Sequence, residues 1–343
     1  MLVTINDVAG KAGVSNAMVS MALNDHPKVS QRRKEQIRQI ADDLGYRPSM
    51  IAQNLLGRKT SLVGVLLPSA AYSGVLAELE SHLRQFGYNM IACVTNHDLT
   101  IERQDIDMLM RRGVEGIIVL PMVKREHEEY EHLLAPLKHD IPLVFVDHHT
   151  PDARLPRVTT DDAADVQTMM RHLLGLGHRR IAFAHIGLHE WDHCLMQMHQ
   201  GYKTALAQAS LAYDDSLVVQ CGAVSTDETK TFWPDTVAML LDRQDRPDAI
   251  LAYTDMLAIK MMSVIHTKGL RLPQDIAMAG ISNHVMAPYT LPPLTSLQRG
   301  TEKMCRRAVD MVMHLIKQAD PYCLPVYERF AGDLVVRQSS GVV

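Results

Sequence analysis

Few cysteines and aromatic residues, and no long apolar run, set the first limits on this chain of 343 residues. No apolar stretch approaches the roughly 18 residues of a membrane span, and no glycine-rich phosphate loop occurs. We therefore expect no membrane partner, no cofactor, no bound metal and no enzymatic activity. No two cysteines form a Cys-x-x-Cys pair, so they are predicted to be reduced thiols; they are Cys93, Cys194, Cys221, Cys305 and Cys323.

A helical pattern occupies the first 45 residues. Apolar side chains recur at helical spacing in two short runs and in a longer third run after Ser30. Thr4 with Asp7 can cap the first run, Ser15 can cap the second, and Gly13 supplies the turn between them. Two helices this short cannot bury their apolar stripes alone, so the third should complete their core. This is the layout of a helix-turn-helix DNA-binding domain, although other small three-helix bundles share it.

The charge of the chain is divided unevenly. Residues 1–58 hold eight lysines and arginines against five acidic residues, a net charge of +3; since the whole chain carries −4, the remainder carries −7. This asymmetry favours a basic DNA-binding domain joined to an acidic body. Once the apolar stripe of the second helix is assigned to the core, four side chains remain to enter the major groove, namely Asn16, Ala17, Ser20 and Met21.

From residue 61 the pattern changes to alternating strands and helices. Apolar runs of strand length alternate with amphipathic helices, which is typical of parallel sheets covered on both faces. The strands are predicted at 62–67, 88–93, 116–120, 141–146, 180–184, 217–220, 249–252 and 276–280, and the helices at 73–86, 100–112, 126–137, 161–176, 193–209, 230–242, 255–268 and 301–317. A break near residues 150–162 divides them into two doubly wound lobes.

Several short sequence motifs that occur in a fixed order resemble those of a known family. Asp-Val-Ala, Ala-Gly-Val-Ser, Val-Ser and Leu-Asn follow one another between residues 7 and 24, and Gly-Tyr-Arg-Pro with a short Ala-Gln-Asn-Leu segment comes after the third helix. The chain in this respect resembles the lac-repressor/galactose-repressor family of bacterial transcription regulators. The resemblance extends to Asp248-Ala-Ile, to the stretch 269–275 and to Pro293-Leu-Thr-Ser296. It implies an N-terminal all-α helix-turn-helix reader followed by a periplasmic-binding-protein-like α/β core of two doubly wound parallel-sheet lobes.

The resemblance also implies a mode of DNA binding. Paired hinge helices of two subunits would lie in the minor groove, with Leu55 as the wedge at the central base step. The partners are then double-stranded operator DNA and a second copy of the chain. The predicted DNA contacts are Thr4, Ser15, Asn16, Ala17, Val19, Ser20, Met21, Asn24, Ala52, Gln53 and Leu55.

A cleft between the lobes is expected to hold a small-molecule effector. At the positions where family members hold a sugar, this chain has Met198 in place of an arginine, Thr254-Asp255 in place of Asn-Asp, and Ser282 in place of an aspartate. A free hexose is therefore not expected; an apolar, aromatic-bearing or cationic ligand, or a cleft that no longer signals, remains open. The predicted effector contacts are Tyr72, Asp147, His148, Met198, Thr254, Asp255 and Ser282.

One motif suggests a different class of protein. His189-Glu190-Trp191-Asp192-His193 matches the H-E-x-x-H signature of zinc hydrolases, which requires a helix presenting both imidazoles, a third ligand and a substrate groove. A metal-binding or pH-sensing cleft is a further alternative, whereas solvated or packed side chains are the simplest account. The histidines concerned are His148, His149, His185, His189, His193 and His199.

The sequence thus predicts a DNA-binding transcription regulator, a repressor rather than an activator, working as a homodimer and controlled by an effector. An effector-blind regulator or an activator of the same family is the alternative. A DNA partner without an export signal predicts a cytoplasmic, nucleoid-associated protein. The predicted domains are a reader (1–46), a hinge (47–59), a first lobe (60–160 and 291–320) and a second lobe (161–290 and 321–343).

Overall fold

The computed structural model describes residues 3–46, 60–96, 98–121, 131–146, 154–187, 193–223, 232–318 and 327–341. The chain forms two compact units, one over residues 1–60 and the other over residues 61–343. Within the described ranges, every helix is too short or too polar to cross a membrane. We describe each unit by itself.

The first unit is a three-helix domain. Its helices are α1 Ile5–Ala12, α2 Asn16–Leu23 and α3 Gln31–Leu44. They bury a small core in which Val8, Val19 and Ile37 are fully excluded from solvent. The predicted third helix therefore does complete the core of the first two.

The ends of these helices follow the local sequence signals. The Asp7 carboxylate accepts hydrogen bonds from the backbone N–H and the hydroxyl of Thr4, at 2.8 and 2.7 Å. The Ser15 hydroxyl accepts from the Met18 N–H at 3.3 Å. Gly13 adopts the left-handed conformation at the end of α1, with φ of 66°, which suits a residue without a Cβ. The predicted caps and turn are confirmed.

The second unit alternates strands with helices, as predicted. It begins with β1 Leu62–Leu67, α4 Ser73–Gln85, β2 Asn89–Val94, α5 Leu99–Arg111, β3 Gly116–Val119, α6 Glu131–Leu134 and β4 Leu143–Val146. It continues with β5 Arg157–Thr160, α7 Asp162–Gly175, β6 Ile181–His185, α8 His193–Gln208, β7 Val218–Gln220, α9 Pro234–Leu241, β8 Ala249–Ala252, α10 Asp255–Thr267 and β9 Ala277–Ile281. It ends with β10 Thr295–Gln298, α11 Thr301–Lys317, β11 Tyr327–Phe330 and β12 Asp333–Val335.

Two six-stranded sheets organise this unit into two lobes. The first lobe contains the sheet β11-β5-β4-β3-β1-β2, whose strand pairs are all parallel. The second lobe contains the sheet β12-β10-β9-β8-β6-β7, in which β12 alone pairs antiparallel. The central strands are apolar and fully buried between helices. The predicted pair of doubly wound lobes is confirmed.

The chain crosses between the lobes three times. The crossings lie at Thr160–Asp162, between β5 and α7; at Gln298–Thr301, between β10 and α11; and at Phe330–Asp333, between β11 and β12. The predicted boundary at residue 291 is therefore wrong for β10, which lies in the second sheet. The boundary at residue 321 is likewise wrong for β11, which completes the first sheet.

The two strands placed in the wrong lobe share a physical feature with β5, which was placed in the right lobe but not predicted as a strand. β5, β10 and β11 read Arg-Val-Thr-Thr, Thr-Ser-Leu-Gln and Tyr-Glu-Arg-Phe, so none is the continuous apolar run of a central strand. Such strands obtain their backbone partners from segments far away in the sequence. β5, for instance, pairs with β11 from Arg157 opposite Tyr327 onward. Nothing within a short polar segment specifies which sheet it will join.

Candidate DNA-binding surface and effector cleft

The outward face of α2 carries the side chains predicted to read DNA. Asn16 and Ala17 are exposed, while Ser20 and Met21 are half-buried. Met21 packs partly against the core of the domain. The face is short and nearly uncharged, so hydrogen-bonding and apolar groups are what it offers to base edges.

Val19 does not belong to this face. Its side chain is fully buried in the core formed by the three helices. The inclusion of Val19 among the DNA contacts is therefore wrong. On a helix, residues 19 and 22 lie on the same side, and Ala22 is fully buried as well. Val19 positions α2 and cannot touch a base.

The polar side chains of the α2 face are held by neighbours within the domain. The Asn16 amide nitrogen donates to the Asn6 amide oxygen at 2.6 Å. The Asn24 amide nitrogen donates to the Ser20 hydroxyl at 3.3 Å. Asn6, on α1, was missed by the sequence analysis, although its exposed polar side chain one helix away was the available signal. These bonds orient the groups before any contact with DNA and reduce the conformational entropy lost on binding.

Basic side chains border the start of α3. Lys28, Arg32 and Arg33 are exposed. Lys34, by contrast, is buried and donates to the Asp25 carbonyl oxygen at 3.1 Å, with an ion pair to the Asp25 carboxylate at 3.0 Å. Lys34 therefore serves the fold of the domain. Net charge alone does not separate these two roles.

In the second lobe, Asp255 belongs to a buried network of hydrogen bonds. Thr254 caps α10 by accepting from the Leu257 N–H at 3.3 Å. The fully buried Asp255 carboxylate accepts from the Ser296 hydroxyl and from the His284 N–H, both at 2.6 Å. Burial raises the pKa of Asp255, against the opposing effect of these hydrogen bonds. Asp255 was predicted to contact the effector; the structure shows that it ties α10 to the segment after β9 and to β10 itself.

The turn after β9 is unusual in its backbone. Ser282 and Asn283 are consecutive left-handed residues, with φ of 116° and 46°. Ser282 is exposed, while Asn283 donates to the Gln298 amide oxygen at 2.8 Å and accepts from the Arg337 guanidinium at 2.7 Å. Non-glycine residues adopt this conformation at a cost that surrounding contacts must offset, and such residues concentrate at functional sites. Ser282 thus stands at the carboxyl end of a central strand, where α/β folds bind ligands.

The other predicted effector contacts separate into two groups. Tyr72 is half-buried and precedes α4, after the carboxyl end of β1. Met198 is 2 % exposed and packs in the apolar core of the second lobe, so its assignment to the effector site is wrong. An apolar side chain on α8 gains more from this core than from a polar cleft. Asp147 and His148 lie outside the described residues.

Two histidines of the predicted cleft group, His185 and His199, pack within the second lobe. His185 is buried at the end of β6, and its Nδ1 accepts from the Gly187 N–H at 3.0 Å. His199 stacks on Phe183, and burial lowers its pKa. His193 is the first residue of α8, while His189 and Glu190 lie outside the described residues. Among the described side chains, no group of three histidine, cysteine, aspartate or glutamate residues could hold a metal ion.

A groove of about 690 Å³ lies between α9 and α10. It is lined by apolar parts of both helices and by Lys260 and Lys268. It contains none of the predicted effector residues. Its position on the helices, away from the strand ends, does not match the predicted cleft.

Comparison with known proteins agrees with both units. The model of the lacI family of bacterial regulatory proteins matches residues 4–49, and the model of a periplasmic-binding-protein-like domain matches residues 170–340. The transcriptional repressor PurR of Vibrio atlanticus (strain LGP32) is 29% identical over 323 residues, covering 93% of each chain. The transcriptional regulator DegA of Bacillus subtilis (strain 168) is 28% identical over 316 residues, covering 89% of this chain and 88% of that one.

Solved structures share the fold. A lac repressor dimer bound to operator and the anti-inducer ONPF has a TM-score of 0.83 at 22% identity, covering 99% of each chain. A complex of the regulator CelR with cellobiose has a TM-score of 0.69 at 24% identity, covering 98% of this chain and 99% of that one.

A basic helix-turn-helix domain followed by a two-lobed parallel α/β core defines a DNA-binding transcription regulator with an effector-binding domain. The chain joins a LacI-family DNA-binding domain to a periplasmic-binding-protein-like domain. The predicted family and fold class are thereby confirmed. The zinc-hydrolase alternative has no support, since the relatives named above are regulators.

Proposed function

We propose that this chain represses transcription as a homodimer that binds a pseudo-palindromic operator through α2 and is controlled by an effector in the cleft between its lobes. The exposed polar face of α2 carries this proposal, since Asn16 and Ser20 are pre-oriented hydrogen-bonding groups on a helix of the size that enters the major groove. Lys28, Arg32 and Arg33 contact phosphates, because they are exposed guanidinium and ammonium groups beside that helix.

Selection of bound DNA sequences with the full-length protein tests this function. We expect enrichment of a two-fold symmetric site, and its affinity should change in the presence of the true effector. If the selection enriches no sequence over random DNA, sequence-specific regulation is excluded. Placing the selected site at a promoter with a reporter gene then separates a repressor from an activator, and repeating the selection with candidate ligands separates an effector-controlled regulator from an effector-blind one.

The Asn16→Ala substitution is expected to relax operator specificity. Asn16 is exposed and can form paired hydrogen bonds with one base, and a good pair of this kind discriminates against the wrong base by about 1–3 kcal/mol. Discrimination between the selected operator and single-base variants should therefore fall by roughly tenfold, measured by fluorescence anisotropy. Gln36→Ala, on the exposed surface of α3, is the control. Unchanged discrimination in Asn16→Ala would remove Asn16 from the base-reading set.

For the effector, we propose a site at the carboxyl ends of the strands formed by Tyr72, Thr254 and Ser282, together with Asp147 and His148. The three described side chains of this set are neutral at physiological pH and offer hydroxyl groups. Met198 and Asp255 are turned into the core of the second lobe. An effector held by single hydroxyl contacts fits this set better than a free hexose held by paired charged groups. Effector binding would shift the lobe arrangement and thereby the affinity for DNA.

An exposed apolar loop supports the homodimer. Between β9 and β10, Val285, Tyr289 and Leu291 are 73%, 74% and 79% exposed. The loop is held against α10, because the His266 ring hydrogen-bonds the Leu291 carbonyl oxygen at 2.7 Å. A contiguous set of exposed large apolar side chains on an ordered loop is the signature of an interface. A second copy is the occupant that two-fold symmetric operator binding requires.

We expect Tyr289→Arg to weaken dimerisation by about five- to thirtyfold. The substitution replaces an exposed apolar ring by a charge that would be desolvated in the dimer, and the loss of one interface anchor costs about 1–2 kcal/mol. Sedimentation equilibrium of the full-length protein measures the effect. Val336→Arg, at a position 46% exposed, is the matched control. Equal dissociation constants for the two variants would show that the loop is not the interface.

A further inference from the structure

The three crossings between the lobes meet around one buried polar cluster. The crossover cluster consists of Asp162 and Asp165 in the first turn of α7, Arg299 in the second crossing and Gly332 in the third. The Arg299 guanidinium donates to the Asp162 carboxylate. The Asp165 Oδ1 accepts from the Gly332 N–H at 2.7 Å. Two carboxylates on one helix turn therefore hold both of the other crossings.

The second and third crossings also touch through their backbones. A Cβ on Gly300 would lie 2.6 Å from the Phe330 carbonyl oxygen, and one on Gly332 would lie 2.2 Å from the Gln298 carbonyl oxygen. Only glycine permits this approach. The Asp161 N–H donates to the Phe330 carbonyl oxygen at 3.0 Å. Any rotation of one lobe against the other must change these contacts, because the crossings are the only covalent connections between the two sheets within the described residues.

Asp165 has the most constrained position in the crossover cluster. It is 1% exposed, and its Oδ2 is buried with no hydrogen-bond partner. An ionised carboxylate that is buried and only half satisfied is costly. Its single fixed hydrogen bond goes to the third crossing, whereas its own helix belongs to the second lobe.

The charges around Asp165 come from several elements. On its own helix turn, Asp161 and Asp162 oppose its ionisation, while Arg299 of the second crossing favours it. Burial, which is the largest effect, raises the pKa of Asp165 to about 7 from the ordinary value of 3.8. Beyond the carboxylates and Arg299, α8 contributes the Cys194 thiol, which Arg299 contacts at 3.4 Å.

One further charged pair lies beside the third crossing. Lys303 and Asp333 form an ion pair at 3.2 Å, in which both side chains are more than half exposed. Solvent screens this pair, so it contributes little to the ionisation of the buried carboxyl.

From this geometry we infer that Asp165 is a proton-binding site that sets the arrangement of the two lobes. The protonated carboxyl suits the closely packed crossings seen here. The ionised carboxylate still accepts from the Gly332 N–H, and it favours an arrangement in which the crossings loosen enough for water to reach the unpartnered Oδ2. Because a group with different proton affinities in two arrangements shifts their populations, the lobes become sensitive to pH near neutrality. Operator affinity changes with pH only if the arrangement of the lobes controls DNA binding. This last consequence therefore rests on the proposed function.

Proton binding by Asp165 also makes the free energy of unfolding depend on pH. The folded-state pKa lies above the unfolded one, so between about pH 4 and pH 7 the unfolded chain binds fewer protons than the folded chain. The free energy of unfolding therefore falls as the pH rises through this window and levels off above it. Asp165→Asn keeps the acceptor for the Gly332 N–H and removes the titrating group.

Thermal unfolding of the full-length protein between pH 5 and pH 8 tests the inference. We expect the melting temperature of Asp165→Asn, relative to that of the native chain, to be about 5 °C higher at pH 8 than at pH 5. Asp107→Asn, an exposed aspartate on α5, is the control and should follow the native profile. A native-like pH profile in Asp165→Asn would overturn the inference.

Amide hydrogen exchange, corrected for the intrinsic effect of pH, reports the crossings directly. Protection of the segment containing Gly332 should fall several-fold from pH 5.5 to pH 8.5 in the native chain and stay constant in Asp165→Asn. Protection that falls equally in both chains would overturn the inference. Protection at the crossings could change with pH as expected while operator affinity does not change. The proposed coupling between lobe arrangement and DNA affinity would then be wrong, and the proton-binding site would stand.

Discussion

Replacing Arg299 by methionine is expected to lower the free energy of unfolding of the two-lobed core by about 3–5 kcal/mol. The guanidinium donates to the Asp162 carboxylate and to the Thr160 hydroxyl, the latter at 2.6 Å. The side chain of Asp162 is 4% exposed, so removing Arg299 takes the paired cation away from a buried carboxylate. Methionine retains the apolar stem and removes only the charge and the donors. Urea unfolding of the full-length protein measures the loss.

Arg306→Met provides the matched control for this prediction. Arg306 lies on α11 and pairs with Glu302 at 3.1 Å, but the two side chains are 60% and 64% exposed. An exposed pair of this kind contributes at most about 1 kcal/mol. Combining Arg299→Met with Asp162→Asn should restore much of the lost stability, because the buried charge is then gone as well. Equal losses from Arg299→Met and Arg306→Met would contradict the assigned role of the ion pair.

The Ile37→Ala substitution is expected to weaken operator binding strongly, although Ile37 itself is buried away from the DNA-reading face. Ile37 is fully buried in the core of the three-helix domain, and deleting such a side chain costs about 2–5 kcal/mol. A domain of this size has few kcal/mol of stability of its own, so the cost unfolds a large share of the molecules. Affinity for the selected operator should fall more than tenfold by fluorescence anisotropy. Limited proteolysis should show earlier cleavage within residues 1–60.

Ile40→Ala serves as the control on the same helix. Ile40 is only partly buried against the core, so its loss should cost less stability and reduce affinity less. The two-lobed core should unfold at the native urea concentration in both variants, since residues 61–343 form a separate unit. Full operator affinity in Ile37→Ala would show that the domain tolerates the cavity, and would contradict the small stability assumed here. The contrast with Asn16→Ala separates folding of the domain from reading of bases.

Local signals predicted much of the fold. The caps at Thr4 and Ser15 and the turn at Gly13 were confirmed because each depends on residues within four positions of one another. The central strands were found within one or two residues, since a strand buried on both faces must be apolar throughout. The strands β5, β10 and β11 were harder, because their polar composition is compatible with a loop as well as with a sheet edge.

Resemblance to a family predicted positions but not the directions of side chains. Thr254 and Ser282 do stand after the carboxyl ends of their strands. Asp255 and Met198, at equally matched positions, face the core instead. For Asp255 the reason is a network with Ser296 and with the backbone of His284, from segments about thirty or more residues away. Val19 was misassigned for the same reason, because a helix face is defined only once its neighbours are packed against it.

The sequence by itself determined the three-helix reader, the alternation of strands and helices, and the resemblance to the LacI family. These properties depend on short-range periodicity, on caps and on ordered motifs, all of which lie within a few residues of one another. Only the tertiary structure decided how the lobes are joined. Arg299 and Asp162 are separated by 137 residues, and Gly332 and Asp165 by 167. A contact over such a distance exists only because the packing of two sheets brings three chain crossings together, and no local pattern encodes that meeting.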